Sequence, residues 1–273
     1  MPELPEVETV RQSLKLKLIS KKIIDCDVYY DNIIEYPSVL EFKNSIKGQT
    51  FRDVLRYGKW LKFELDDFYL LSHLRMEGKF FFRNSEEDVY KHEHVVFKLD
   101  DGTDFRYMDV RKFGKMHLIK KGDIDKIGPL LKLGLEPWDD RLDVGYLRDK
   151  YSGKKLPIKS VILDQGIIVG IGNIYANEIL FASNINPLKR AMDLNDSELE
   201  SIINNTRIIL DKAISMGGST IHSYTSVNGV TGLFQQELMV HTRNNQPCKK
   251  CGNTINKIVV GGRGTYYCPN CQQ

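Results

Sequence analysis

The sequence predicts a multidomain α+β protein: an opening helix, a β-rich amino-terminal block, a helical module and a small carboxy-terminal hairpin. Three observations carry that prediction. The hydrophobic period is helical over residues 5–18, strand-like from Ile23 to about Ile119, and helical again as far as Met216. Four of the five cysteines lie beyond Met239. The chain of 273 residues suits two domains, or one domain with small modules. With 41% hydrophobic and 27% charged residues the composition excludes disorder and a membrane protein. No apolar run is long enough for a membrane span, and the opening MPELPEVETV, with three glutamates, is neither a secretory nor a transit peptide. A cytoplasmic protein is expected.

Each element has a local reason. Pro5 suits a first helical position, and Glu6 and Glu8 suit the positive end of the helix dipole. Val7, Val10, Leu14 and Leu18 form one apolar stripe, which completes a helix over 5–18. The alternation Ile24-Asp25-Cys26-Asp27-Val28 reads as a strand, with Cys26 a small core residue. Strand-like runs follow at 60–65, 69–72, 79–83, 95–99 and 105–107, and Asp101-Gly102 signals a hairpin between the last two. Short strands at this density point to a β-sandwich or barrel. Gly128-Pro129, Gly134 and Pro137 mark 122–138 as a linker. Segments 142–151, 158–163 and 174–182 are short helices, the last behind Gly170-Ile171-Gly172-Asn173. The strongest helix is 195–216: Asn195 and Glu198 spell a capping box, Leu199, Ile202, Ile203, Ile209, Leu210 and Ala213 share a face, and Gly217-Gly218 ends it. Residues 219–233 are polar and aperiodic, the pattern of a functional loop.

Net charge is only +3, but its distribution is uneven. Residues 239–273 carry five basic residues and no acid, which leaves the remaining chain at −2. The same tail reads Cys248-Lys-Lys-Cys251, sixteen residues, then Cys268-Pro-Asn-Cys271. Two Cys-x-x-Cys knuckles at that separation match a four-thiolate zinc site. Between them a strand-like 255–260, the turn Gly261-Gly262-Arg263-Gly264 and Thr265-Tyr266-Tyr267 make a hairpin, hence a zinc ribbon. So short a segment buries too little apolar surface to fold without metal. Disulfides are disfavoured in a reducing compartment, and a redox role lacks its βαβ context. Four thiolates on one Zn²⁺ leave the tail basic, which suits phosphate contact, although zinc ribbons also serve as pure structure or bind proteins. Arg263, between glycines at the hairpin tip, is best placed to reach a phosphate.

Met1-Pro2-Glu3 reads first as a helix start. Met before Pro is normally removable, however, and removal leaves a secondary amine beside a carboxylate. A free α-amino group has a pKa of about 8, so an unprotonated fraction exists near neutrality. Such an amine can attack an aldehyde-level carbon and form an iminium, an electron sink for elimination.

Read together, the opening MPELPEVETVR, the run Gly172-Asn173-Ile174-Tyr175-Ala176-Asn177-Glu178 and the closing Gly262-Arg263-Gly264-Thr265-Tyr266-Tyr267-Cys268-Pro269 resemble the bacterial formamidopyrimidine-DNA glycosylases. His73-Leu-Arg-Met76, Lys91-His92-Glu93-His94 and Arg111-Lys-Phe113-Gly114 fit the same family, in the same order along essentially the whole chain. The resemblance implies an amino-terminal β-sandwich over 1–133, a helix–two-turn–helix module over 134–238 and a zinc finger over 239–273, with damaged double-stranded DNA crossing between the halves. It implies a monomer, associated with the bacterial nucleoid, that excises 8-oxoguanine and formamidopyrimidines and then cleaves the strand.

By the same resemblance Pro2 is the nucleophile that forms a Schiff base at the sugar C1′. Glu3 moves protons on the sugar ring oxygen, Lys59 contacts phosphate and assists elimination, and Arg263 serves the second elimination. A base inside a duplex must be flipped out before it can be attacked. Met76, Arg111 and Phe113 resemble the triad that fills the vacated gap; Met76 and Phe113 would read as core residues by themselves. An apolar wedge beside an arginine that can hydrogen-bond the orphan base suits that task. Asn173 at a helix mouth is a phosphate ligand, a helix cap, or both. His92, Lys154 and Lys159 are further phosphate contacts. Glu6, Ser219, Ile221 and Tyr224 are assigned to the lesion pocket. The wording of the loop around Ile221-His222-Ser223-Tyr224-Thr225-Ser226 departs from the commoner family pattern. Two rivals remain: an endonuclease VIII-like enzyme for oxidised pyrimidines, and a non-enzymatic zinc-dependent binder of damaged DNA.

Overall fold

The opening helix α1 (Leu4–Leu18) buries Val7, Val10, Leu14 and Leu18, the stripe that its sequence displays. The computed structural model describes residues 1–219 and 232–273, and these divide into two units. The first comprises Met1–Pro2 and Glu6–Leu131; the second comprises Glu3–Pro5, Lys132–Ser219 and Gly232–Gln273.

In the first unit two sheets face each other. One contains β1 (Ile23–Val28), β6 (Lys79–Asn84), β7 (Glu93–Leu99) and β8 (Thr103–Met108), antiparallel in the order β1-β7-β8-β6. The other contains β2 (Ile34–Tyr36), β3 (Asp53–Tyr57), β4 (Trp60–Glu64), β5 (Phe68–His73) and β9 (Lys115–Lys120), in the order β2-β9-β5-β4-β3 with β2 parallel to β9. Phe63 of β4 lies edge-on to Phe80 of β6 and Phe105 of β8, with ring centres 5.6 and 5.8 Å apart. The sheets therefore share one core, and the sandwich replaces the barrel alternative. Cys26 is fully buried in it.

One element inside the strand-like block is a helix. α2 (Val39–Ile46) starts at Ser38, whose hydroxyl accepts the Glu41 N–H at 3.3 Å, and buries Phe42 and Ile46. The pattern Ser38-x-x-Glu41 with apolar residues four apart was there to be read; the surrounding β signal outweighed it.

In the second unit, α3 (Val144–Tyr151) begins after Asp143, whose carboxylate accepts the Tyr146 N–H at 2.7 Å; this cap shortens the expected 142–151. α4 is a single turn (Ile158–Val161). α5 (Asn173–Ala182) and α6 (Asp196–Ser215) are the main helices, and α6 has both arms of its capping box, Asn195 and Glu198. Residues 122–138 are no simple linker. Gly134 N–H donates to Gln165 at 2.8 Å and Leu135 bridges to Ile168, so the later part is knitted into this unit. The finger hairpin pairs β10 (Asn256–Val260) with β11 (Arg263–Tyr267), leaving a two-residue turn at Gly261-Gly262 with Arg263 already in the strand, opposite Val260. Most of the expected 219–233 loop lies outside the described residues. Among the described residues no helix is long and apolar enough to cross a membrane.

Candidate functional site

The amino terminus of α5 gathers the chemistry of the second unit. A helix start leaves unpaired N–H groups and a partial positive charge. Here the local cap is Gly172, which has no side chain to offer. Glu3 caps instead. Its Oε2 accepts from Gly172 N at 2.8 Å and Tyr175 N at 3.4 Å, and its Oε1 accepts from Ile174 N at 2.9 Å. The carboxyl sits so close that a Cβ on Gly172 would collide with it. Asn173 lies in the first turn. Its Nδ2 donates to Gly264 of β11 at 3.0 Å, which ties α5 to the finger, while its Oδ1 is buried without a hydrogen-bond partner. Lys159 of α4 is fully buried and donates to the Asn173 carbonyl at 3.1 Å. Burial, opposed by Glu3 and reinforced by Arg263, pushes its ammonium down to about 7. Arg263 itself is exposed.

Two residues further along α5 complete the hub. Buried Glu178 accepts from the backbone N–H groups of Met239, Val240 and His241 at 2.8, 3.1 and 2.8 Å. Burial pushes its carboxyl up, and the three donors oppose that shift. Asn177 Nδ2 lies 2.7 Å from His241 Nδ1; burial, reinforced by Lys159, pushes that imidazole down to about 4, so it is neutral and accepts. His241 in turn packs edge-on against Tyr266 of the finger, ring centres 5.1 Å apart. In the sequence Asn177 and Glu178 stand out only as part of the motif that opens α5, because their partners are backbone groups and a histidine more than 60 positions away.

The first unit holds the other predicted residues. Pro2 and Glu6 are buried. Lys59 occupies the two-residue turn between β3 and β4 and is 6% exposed. Beside it His73, whose Nδ1 accepts from Arg75 N at 3.0 Å, is held neutral: burial, with the charges of Arg75 and Lys59, pushes it down to about 3. Met76 and Phe113 are 40% and 50% exposed. A core reading predicts burial, so both side chains are surface features that need another reason. The exposed Arg111 guanidinium lies 4.8 Å over the Phe113 ring. Their loop is organised by Asp109, fully buried, whose carboxylate accepts from the N–H groups of Arg111, Phe113 and Gly114 at 3.0, 2.9 and 2.7 Å. His92 is half-buried with φ +77, a left-handed backbone unusual for a side-chain-bearing residue. The preceding segment hangs on buried Arg106, which donates to Asp88 O, Glu87 O, Asp104 and Glu93. Neither Asp109 nor Arg106 was singled out from sequence, since lone charged residues read as solvated surface.

Lys154 follows α3, half-exposed, and makes no described hydrogen bond to the α5 cluster. Ser219 is buried at the edge of the described residues; Ile221 and Tyr224 lie outside them.

The four finger cysteines fit one structural Zn²⁺. Their sulfurs lie within 4.8 Å of one another, with Cys248–Cys271 at 4.0 Å and Cys251–Cys268 at 3.5 Å. Tetrahedral zinc with Zn–S bonds near 2.3 Å needs sulfurs about 3.8 Å apart. Gln272 locks the second knuckle, accepting from Cys268 N and donating to Ile185 O, both at 2.9 Å.

Comparison with known proteins agrees with this geometry. Residues 1–116 match the model of the formamidopyrimidine-DNA glycosylase N-terminal domain, 133–225 the H2TH domain of the same glycosylases, and 245–273 a zinc finger found in FPG and IleRS. The formamidopyrimidine-DNA glycosylase of Cytobacillus firmus is 46% identical over 273 residues, covering both chains completely. A Lactococcus lactis FPG mutant solved with a Fapy-dG containing DNA superimposes with a TM-score of 0.92 at 38% identity, again over 100% of both chains. The Lactococcus lactis Fpg solved with an abasic site containing DNA gives 0.91 at 38% identity over 99% of each chain. With its β-sandwich, its H2TH module and its four-cysteine finger each matched in order, the chain belongs to the formamidopyrimidine-DNA glycosylase family.

Proposed function

We propose that the protein is a base-excision-repair glycosylase for oxidised purines in duplex DNA, with 8-oxoguanine and formamidopyrimidines as substrates, and that it then cleaves the abasic strand. It acts as a monomer in the bacterial cytoplasm, at the nucleoid. The functional division follows residues 1–133, 134–238 and 239–273. The observation that carries this reading is the Glu3 carboxylate, held by three backbone N–H groups of α5 and covalently next to Pro2.

With Met1 removed, the unprotonated Pro2 amine attacks C1′ and the damaged base leaves, taking up the proton that the new ammonium nitrogen gives up. The nitrogen lone pair then forms an iminium as the sugar C1′–O4′ bond opens. Glu3, oriented by α5, delivers the proton that O4′ needs. The iminium withdraws electrons so that a C2′ proton departs and the 3′ phosphate leaves; a second loss, of a C4′ proton, expels the 5′ phosphate. Lys59 and Arg263 offset the charge on the departing phosphates. Asn173 and Lys159 contact a backbone phosphate at the α5 mouth, Asn173 Nδ2 and the Lys159 ammonium turning to it from the Gly264 and Asn173 carbonyls that they now hold. Arg111, Phe113 and Met76 fill the space left by the flipped nucleotide, and His92 and Lys154 contact backbone phosphates. Glu6, Ser219, Ile221 and Tyr224 shape the pocket for the base. Zinc is scaffold for the finger.

Borohydride should trap a covalent protein–DNA adduct on an 8-oxoguanine:cytosine duplex and on an abasic duplex, with the bond at Pro2. Failure on both would leave the damaged-DNA binder. Preferential trapping on thymine glycol would move the substrate to oxidised pyrimidines.

A further inference from the structure

The three segments of the first unit that carry Met76, His92 and the Arg111–Phe113 pair converge on two buried residues, Tyr107 and Asp109. Tyr107 is the penultimate residue of β8 and is fully buried against Phe80, ring centres 5.1 Å apart. Its hydroxyl lies 3.5 Å from Asp109 Oδ2. The same hydroxyl fills the space over two glycines. A Cβ on Gly78, which closes the Met76 turn by donating to Leu74 O at 2.9 Å, would collide with it; so would a Cβ on Gly114, which ends the Arg111–Phe113 loop. Asp109 extends the convergence. Its carboxylate holds three N–H groups of that loop, its N–H donates to His92 O at 3.0 Å, and its carbonyl lies 2.9 Å from His94 Nε2.

Each of the three segments also contains a side-chain-bearing residue in the left-handed region: Arg75 at φ +54, His92 at +77 and Lys112 at +58. Such conformations persist only where the surroundings over-determine them. Here the contacts are visible: His92 and Lys112 are bonded to the Asp109 backbone, and the turn that carries Arg75, whose N–H is held by His73, closes on Gly78 under the Tyr107 hydroxyl.

From this convergence we infer that Tyr107 and Asp109 are positioning residues. They preset the Met76 turn and the Arg111–Phe113 loop as a single wedge before DNA arrives, and so set how strictly the enzyme reads the base opposite the lesion. The inference rests on the repair reading for its functional half only. A loop without this anchor would have to be ordered by the DNA, which costs affinity, and it could re-pack around a wrong opposite base that a preset wedge rejects. Discrimination would then weaken along with affinity.

Asp109→Asn keeps the shape but turns an NH₂ group toward backbone donors, so at least one buried N–H loses its acceptor. Tyr107→Phe removes only the hydroxyl and is the variant less able to disturb folding. The first measurement needs no DNA: amide hydrogen exchange at Arg111, Phe113 and Gly114. At least one of these amides should exchange faster in Asp109→Asn by at least about tenfold, the size expected for one lost hydrogen bond to a charged acceptor. Exchange in the core strands should stay as in wild type. The second compares 8-oxoguanine excision opposite cytosine and opposite adenine. The ratio should fall toward unity in both variants, with a rise in KM larger than the fall in kcat, and abasic-strand cleavage should fall far less. Unchanged exchange at all three amides overturns the anchor. Faster exchange with an unchanged ratio overturns the specificity role, as does an equal loss of every activity alongside global unfolding. If wild-type protein fails to excise 8-oxoguanine while the exchange result holds, the repair reading fails and the anchor stands.

Discussion

Lys159 places an ammonium where the interior offers one carbonyl, that of Asn173, at 3.1 Å. Burial lowers its affinity for a proton to about 7, against 10.5 for an ordinary lysine. The sign of the pH dependence follows. Between those values the unfolded chain binds a proton that the folded chain refuses, so stability rises with pH through that window. Lys159→Met should therefore stabilise the DNA-free protein most below about pH 7. The gain should fade as pH approaches 10.5. Thermal unfolding of wild type and variant across pH measures it, and a gain that grows with pH would refute this account. A DNA phosphate at the α5 mouth would restore the proton, which gives a buried lysine a use that structure alone does not require.

At the scale of elements, α5 does the assembling within its unit. Its first turn receives Glu3, its Asn173 reaches β11, and its Asn177 and Glu178 hold residues 239–241 in front of the finger. Gly172→Ala should push the Glu3 carboxyl out of its cradle while leaving the helix intact. Loss of one positioned proton donor is worth on the order of a hundredfold or more in rate. The expected result is a fall of that size in single-turnover excision with a nearly native melting curve. The finger depends on metal, because its own apolar cluster is small: Ile255, Cys248 and Cys268, with Val240 and Phe181 from outside the hairpin. Chelation, or Cys248→Ser, should abolish the near-ultraviolet signal of Tyr266 and Tyr267 and weaken DNA binding by at least about tenfold. Unchanged affinity in metal-free protein would remove the finger from the binding account.

For the whole molecule, a net charge of +3 understates what a phosphate backbone would meet, since the tail alone carries five basic residues. Each phosphate neutralised contributes about −0.9 to the slope of log affinity against log salt. Lys154→Ala should flatten that slope by about one unit and weaken binding evenly across sequences. Fluorescence anisotropy over a salt series tests this; an unchanged slope would mean that Lys154 touches no phosphate.

The α1 stripe, the capping box of α6, most strands and the four-cysteine site were legible in the sequence. Each of these is a local pattern: a hydrophobic period, a cap three residues from its partner, or a metal knuckle of fixed spacing. The helix α2 was equally local but lay inside a β-rich block, and the stronger neighbouring signal hid it. The site was legible in part: motif resemblance picked out Glu3, Asn173, Lys159 and Arg263, but not why they belong together. Glu3 bonds the cap residue of a helix 169 positions later, Glu178 binds backbone 61 to 63 positions away, and Asp109 holds its loop through N–H groups that every residue but proline possesses. A backbone donor carries no sequence signature, and burial of a charge depends on everything packed around it. The sequence alone thus determined most of the elements, the zinc ligands and the family resemblance. Only the tertiary structure decided which charges are buried, and which chain segments a single carboxylate holds together.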